Sequence, residues 1–519
     1  MNLKSTDLRT SLALSKGAVS VVDLPTLLSA KGAALDLSKG PNHTLVLFTP
    51  ACCSHHATRA VPPVTPQTAA FDTAEHMITT AGLSLTIPGA TLDALTARLP
   101  VRDGLSLTYG QLIALGGDFF GDPEQPICTA NDPVAQFEHN FEMIQSDLGA
   151  EQARKILNIT NQYEFQPIAA RINAGESPSG AYASIPHTMS PLMNDEDEEF
   201  DEATGGGGPG SPRFGRYTHL AGTNLDHFGR DAVTAYLAGH TYAQTTAAEA
   251  GATKDQAKLL LAYAQNAFAD HFLTDLFAAG HLRTPRRRLY KTAWTDVTRA
   301  AAGLCAKGMH DEDNKFGIWV QNAQGDQWVA YGDARYRDMC NSANRQVMKG
   351  ALQQSMNDIW NAYSTGKVVK DGDCQVLAFL PSVIWDVEDP SKAPGVRDDS
   401  RNWAPLFWWD PTAETVSRRD ELGDISDREY IAQGIWPGDW GLSTTARDLF
   451  VRPGPYMPAS EYSSMHIPYP PNEGLTGELG WPPQPPSVGG PLRPMQGATG
   501  PDLGNVVWCI DGAAGPTAG

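Results

Sequence analysis

The stretch His271-Phe-Leu-Thr-Asp275-Leu-Phe-Ala-Ala-Gly-His281 concentrates side chains that bind metal. A carboxylate follows a histidine by four residues, and a second histidine follows six further on. Positions four apart share a face of an α-helix, so His271 and Asp275 can grip one metal ion. Gly280 and Pro285 predict a helix end near residue 280, which lets His281 turn toward a neighbouring ion. A hard carboxylate beside a borderline imidazole suits zinc.

The elements that must position these groups read as mainly α. A helix is expected from Asp231 to about Glu249, rich in alanine with Tyr236 and Tyr242. A second runs from Lys254 to Ala279, with Leu259, Leu260, Tyr263, Ala267 and Leu273 at helical spacing. A third covers 339–365. Asp72 and Glu75 have the spacing of a capping box at the start of a helix that carries His76. His240, in Ala-Gly-His-Thr-Tyr, reads as a helix-packing histidine. Three regions follow. Residues 1–70 are an N-terminal extension, with a short strand expected at 44–49. Residues 71–365 are a helical metal-binding domain. Residues 366–519 are an irregular region rich in proline, glycine and tryptophan. Inside the helical domain, residues 194–212 join an acidic run to a glycine tract and read as a mobile, solvated loop.

The chain has 519 residues, which favours more than one domain, and a net charge of −20. That charge disfavours nonspecific nucleic-acid binding and attraction to anionic lipid. No run of 18 apolar residues occurs, so no transmembrane helix is expected. No standard secretory signal is read near Met1, which leaves a cytoplasmic protein or export by a signal-independent specialised route. Seven scattered cysteines with no Cys-x-x-Cys pair indicate neither a disulfide framework nor a thiolate zinc site. Cys52-Cys53 beside His55-His56 reads as a polar loop.

Further histidines and carboxylates fall in an order that carries a resemblance. His76 lies in Glu-His-Met-Ile-Thr-Thr, Asp118 in Leu-Gly-Gly-Asp-Phe-Phe, and His227 in Asn-Leu-Asp-His-Phe. His310 lies in Met-His-Asp-Glu-Asp-Asn. With His-x3-Asp-x5-His between them, the series over about 71–320 resembles the zinc-dependent bacterial phospholipases C of the alpha-toxin type. Their relatives, the fungal single-strand-specific zinc nucleases, share the pattern. The resemblance implies a helical fold around two or three Zn2+ ions, with His76, Asp118, His227, His271, Asp275, His281 and His310 as ligands. Asp118 would also be the catalytic base.

Three departures stand out. The families hold one zinc with a leading tryptophan, whereas about seventy residues precede His76 here. The family carboxylate four residues after the last histidine is Asn314 here, so Asp311 or Asp313 must replace it, with Asp313 preferred on helical-face grounds. The family's Gln-Pro is Ala278-Ala279. The implied activity is hydrolysis of phosphatidylcholine-type lipids at a membrane or micelle surface, giving diacylglycerol and a phosphorylated headgroup. The alternatives are a single-strand nuclease and a non-catalytic zinc-stabilised binding protein. The run Arg286-Arg287-Arg288 reads as a solvated face, with steering of a phosphate headgroup as the other reading.

Overall fold

The structure, a computed structural model, describes residues 73–165, 167–174, 181, 182, 184–186, 194–208, 213–291, 303, 306–314, 317–338 and 341–383, with short strands at 407–410, 415–418 and 493–494. The strand expected at 44–49, the residue Asp72 and the Cys52–His56 cluster lie outside the described residues.

The fold is mainly α, as expected. Helix α1 (Thr73–Ile78) opens it and is buried along its whole length. The Glu75 carboxylate accepts hydrogen bonds from the backbone N–H groups of Ala334 and Tyr336, at 3.0 and 2.9 Å, and so ties α1 to a distant loop. Two antiparallel hairpins follow, β1 (Ser84–Ile87) with β2 (Ala90–Asp93) and β3 (Arg98–Arg102) with β4 (Leu105–Thr108). Their turns hold Gly89 at φ +78° and Gly104 at φ +77°, a region open to glycine at little cost. Helix α2 (Tyr109–Leu115) starts at a capping box in which Thr108 accepts from the Gln111 N–H.

Helices α3 (Pro133–Gln145) and α4 (Asp147–Thr160) are capped by the side chains of Asp132 and Ser146. Next comes a correction. The acidic run at 194–212 is not a solvated loop over its described part. Residues Asp195–Ala203 form α5, capped by the Asn194 side chain, which accepts from the Asp197 N–H at 2.7 Å. The four acidic residues of its first turn sit where the helix dipole favours negative charge. Phe200 anchors the helix in the core, 4.9 Å from Phe119 and 5.5 Å from Tyr217 between ring centroids. Composition alone missed this single apolar anchor.

Helices α6 (Arg216–Thr223), α7 (Gly229–Thr253) and α8 (Gln256–Asp275) follow. Lys254, at φ +56°, reverses the chain between α7 and α8, and Asp255 caps α8 by accepting from the Lys258 N–H. The alanine richness of α7 has a packing reason. A Cβ added at Gly239 would lie 2.6 Å from the Ala269 Cβ of α8, so the two helices approach through small residues. Phe268 of α8 meets Phe137 and Phe141 of α3 edge to face, at 5.6 and 5.5 Å, pairs worth about 0.5–1.5 kcal/mol each beyond their burial.

The chain continues through α9 (Gly280–Arg283), α10 (Arg286–Lys291) and α11 (306–314). Strands β5 (Ile318–Gln321) and β6 (Asp326–Ala330) form a hairpin, and α12 (Ser342–Thr365) packs on α7 and α8. The body does not stop at 365. Val376, Leu380 and Val383 are buried in the same core, and β7 (Ser382–Val383) pairs antiparallel with β5. Beyond it, β8 (Phe407–Asp410) and β9 (Thr415–Arg418) form a hairpin, and β10 (Arg493–Pro494) runs parallel to β6. Among the described residues, no helix is long and apolar enough to cross a membrane.

Candidate metal centre

Helix α8 is buried around nearly its whole circumference in its last three turns, so His271 and Asp275 lie in a dry interior, each 0% exposed. Their i, i+4 spacing brings His271 Nε2 to 3.4 Å from Asp275 Oδ2. Three other segments converge on this pair. Helix α1 places His76 Nε2 3.7 Å from Asp275 Oδ1. The turn before α7 places His227 Nδ1 2.7 Å from Asp275 Oδ2 and 3.2 Å from His271 Nε2. The loop after α2 places Asp118 Oδ1 3.8 Å from His227 Nδ1 and Asp118 Oδ2 3.8 Å from His271 Nε2.

The loop can come this close because it is Gly116-Gly117. A Cβ at Gly117 would strike the His271 ring and lie 2.6 Å from His227 Cε1. Arg216 fixes the next residues, donating from Nε to the Phe119 carbonyl at 2.6 Å and lying over the Phe120 ring. Phe119 in turn packs on Phe200 and Tyr217. The supposed loop α5 therefore buttresses Asp118. The His227 turn is held by Asp226, which accepts from the N–H groups of Ile127 and Cys128 at 2.7 and 2.8 Å.

The hydrogen bonds fix two of the histidine tautomers. His271 Nδ1 meets the Ile113 carbonyl at 2.9 Å, and a carbonyl only accepts, so Nδ1 carries the proton. The Thr274 hydroxyl donates to carbonyls of its own helix and so accepts from His76 Nδ1 at 3.0 Å. Both rings therefore present Nε2 lone pairs to Asp275, the arrangement that orients metal-ligating imidazoles. Asp275 supplies the fit test. Both of its oxygens are buried and neither makes a hydrogen bond, despite the nitrogens at 2.7–3.9 Å. A buried carboxylate surrounded by nitrogens that do not hydrogen-bond to it is costly unless a cation completes it. Buried His/Asp groups here can hold a metal ion, and His271 belongs to both triads: His76–Asp118–His271 and His227–His271–Asp275.

The electrostatics agree with this chemistry. Burial, reinforced by the neighbouring histidines, holds His76 well below its usual value, and burial takes His227 and His271 down to about 4. Neutral imidazoles are the form that ligates metal. Burial first, then the Asp275 charge, pushes Asp118 up, and burial pushes Asp275 up as well. Two carboxylates sharing a dry pocket retain a proton near neutrality. Metal binding must displace that proton. The apparent metal affinity should therefore rise with pH through neutrality and level off above the raised carboxylate values. Calorimetry at pH 7 in buffers of different ionisation heat should show proton release on zinc binding; uptake of zinc with no proton released would break this link.

His281 and His310 sit at one side of the cluster. Their rings lie 4.9 Å apart, and His281 Nδ1 is 3.9 Å from Asp275 Oδ1. Here the structure departs from the sequence reading. Asp313 does not reach the cluster: both of its oxygens accept from Arg283, at 2.6 Å each, in a fully buried pair. The carboxylates beside His310 are Asp311, 3.0 Å from Nδ1, and Asp333, 3.4 Å from Nε2. Asn314 Oδ1 accepts from the Gly280 N–H, so its amide nitrogen faces His310 Nε2 at 2.9 Å. The amide at the family's carboxylate position thus covers the nitrogen that a further metal would use. Asp333, in the turn after β6, had no spacing signal to reveal it. Asp313→Asn should cost about 3–5 kcal/mol of stability by stranding buried Arg283, while bound metal stays the same. Parallel loss of metal, measured by elemental analysis, would return Asp313 to the ligand set.

Nor do Arg286 and Arg287 form a free face. Arg286 donates to the Ala221 and Gly222 carbonyls, and Arg287 forms a two-pronged pair with Asp231 at 2.6 Å. Both serve as internal ties.

A cleft opens beside the cluster, with Gly117 and His227 at its floor and Phe120, Leu220, Thr223 and Phe272 in its walls. Asp118 is the donor nearest solvent, its side chain 20% exposed while those of His76, His271 and Asp275 are fully buried. The chain matches no family model, no curated protein and no solved structure.

Proposed function

We propose that the chain is a zinc-dependent phosphodiesterase, acting as a phospholipase C on phosphatidylcholine-type lipids. The observation that carries the reading is the convergence of His76, Asp118, His227, His271 and Asp275 on one centre. Asp275 is buried there without hydrogen bonds, and Asp118 faces solvent. A wholly structural centre would not need one donor side chain left 20% exposed while the others are buried.

Bound zinc supplies an acidified water at neutral pH and neutralises charge on phosphoryl oxygens. The protein's own groups do the rest. Ile113 and Thr274 hold His271 and His76 in the tautomers that present Nε2. Asp118, the donor with access to solvent, is placed to orient the attacking water and take its proton. Phe120, Leu220 and Phe272 contribute apolar surface beside His227, next to the polar Asn140, Asn224 and Asp226.

The net charge of −20 and the internal use of Arg286 and Arg287 weigh against a polynucleotide substrate. The test is phosphocholine release from phosphatidylcholine micelles, with chelation and zinc add-back, beside a single-stranded DNA digestion control. Zinc-restored lipid cleavage without DNA cleavage is expected. DNA cleavage alone would move the chain to nuclease chemistry. Neither activity from zinc-loaded protein would point to a non-catalytic centre.

A further inference from the structure

The second long interior contact, between α7 and α12, holds a separate group of donors. His240 lies on α7, Asp358 on α12, and Cys374 on the segment that follows α12. All three are buried, at 1%, 4% and 6% exposure. Their ligand atoms lie within 4.8 Å of one another. His240 Nε2 and Asp358 Oδ2 are 3.6 Å apart, beyond hydrogen-bond reach, and neither atom has a hydrogen-bond partner.

The His240 ring is already oriented. Asn266 donates through its amide nitrogen to Tyr109 Oη and Ser355 Oγ, so its oxygen must face His240 Nδ1, at 2.6 Å. Nδ1 therefore carries a proton and Nε2 points at Asp358 and Cys374; burial lowers the ring's pKa but these neighbours push it up to about 10, so a metal ion would displace the Nε2 proton. Tyr236 stacks on the ring at 5.1 Å and blocks rotation. The other oxygen of Asp358 is held by Gln354 at 2.8 Å, so Oδ2 is the one turned inward. An imidazole locked by a hydrogen bond from its far nitrogen and a carboxylate held by its far oxygen have the support that metal ligands have.

We propose that His240, Asp358 and Cys374 form a second, independent metal site that binds zinc and pins the segment after α12 to the helical core. The donor set of one thiolate, one imidazole and one carboxylate is a zinc set. Zinc–ligand lengths of about 2.0–2.3 Å in a tetrahedron put ligand atoms roughly 3.3–3.7 Å apart, close to the His240–Asp358 separation. The charge also balances: a thiolate and a carboxylate offset a divalent cation, and the three donors leave the fourth tetrahedral position to a water. Residues 371–383 lack long regular structure, and a metal bond from Cys374 to two long helices adds a tie to those made by buried Val376, Leu380 and Val383. This site does not depend on the phosphodiesterase reading.

Cobalt substitution tests it, because the centre at His271 has no cysteine among its donors. The full-length protein, stripped with chelator and reloaded with Co2+, should show a near-ultraviolet thiolate-to-cobalt charge-transfer band. Cys374→Ala and, separately, Cys374→Ser should abolish the band and remove one equivalent of bound metal. Cys128→Ala and a joint Cys52→Ala, Cys53→Ala variant should keep both. Absence of the band from unmutated protein overturns the proposal without needing any variant to fold. A band that survives in folded Cys374→Ala, or that vanishes with Cys52 and Cys53, overturns it equally.

Discussion

His271→Ala should empty the metal centre and abolish turnover. His271 is the donor shared by both triads, so removing one imidazole breaks both. The neighbours cannot compensate. His76 and His227 are held by their own ties, and the ring of His271 is packed against the Gly116-Gly117 loop. We expect a rate loss of at least about a thousandfold, more than the removal of one transition-state donor costs. Thermal stability in excess zinc should fall too. A ligand at a thousand times its dissociation constant stabilises by about 4 kcal/mol, and the variant forfeits that term. Elemental analysis, a zinc-dependent melting shift and phosphocholine release would each read this. A variant with full activity would remove His271 from the centre.

Asp118→Asn should separate chemistry from metal binding. Asparagine keeps the size and one oxygen of the side chain but cannot accept a proton. General-base assistance is worth about 10²–10⁴ in rate, so kcat should fall by that factor while zinc content holds. The basis for the split is position: Asp118 is partly exposed to solvent, whereas Asp275 is sealed and lies between the histidines. If metal and activity fall in parallel, Asp118 is a ligand first.

Some of this was legible in the chain and some was not, for physical reasons. His271 and Asp275 were readable because i, i+4 spacing is local geometry, and α8 delivered it. His76, Asp118 and His227 came from their immediate contexts, and all three reach the same centre. Asp313 was misread because spacing gives a face but not a partner, and Arg283 claims both of its oxygens. The acidic run was misread because composition averages over Phe200, the one residue that buries α5. The β1–β2 and β3–β4 hairpins did have a signal, Pro88-Gly89 and Asp103-Gly104, between alternating apolar residues. His240, Asp358 and Cys374 come from three separate elements, so no local pattern links them, and His240 was read as packing alone.

The central claim is that five side chains from four segments of the chain enclose zinc. Anomalous diffraction from crystals of the full-length protein, collected on both sides of the zinc absorption edge, tests it most directly. The account predicts edge-dependent density between Asp275 and the nitrogens of His76, His227 and His271, with Asp118 on its open side. Zinc-saturated crystals with no edge-dependent density there, and Asp275 hydrogen-bonded to protonated histidines instead, would contradict it.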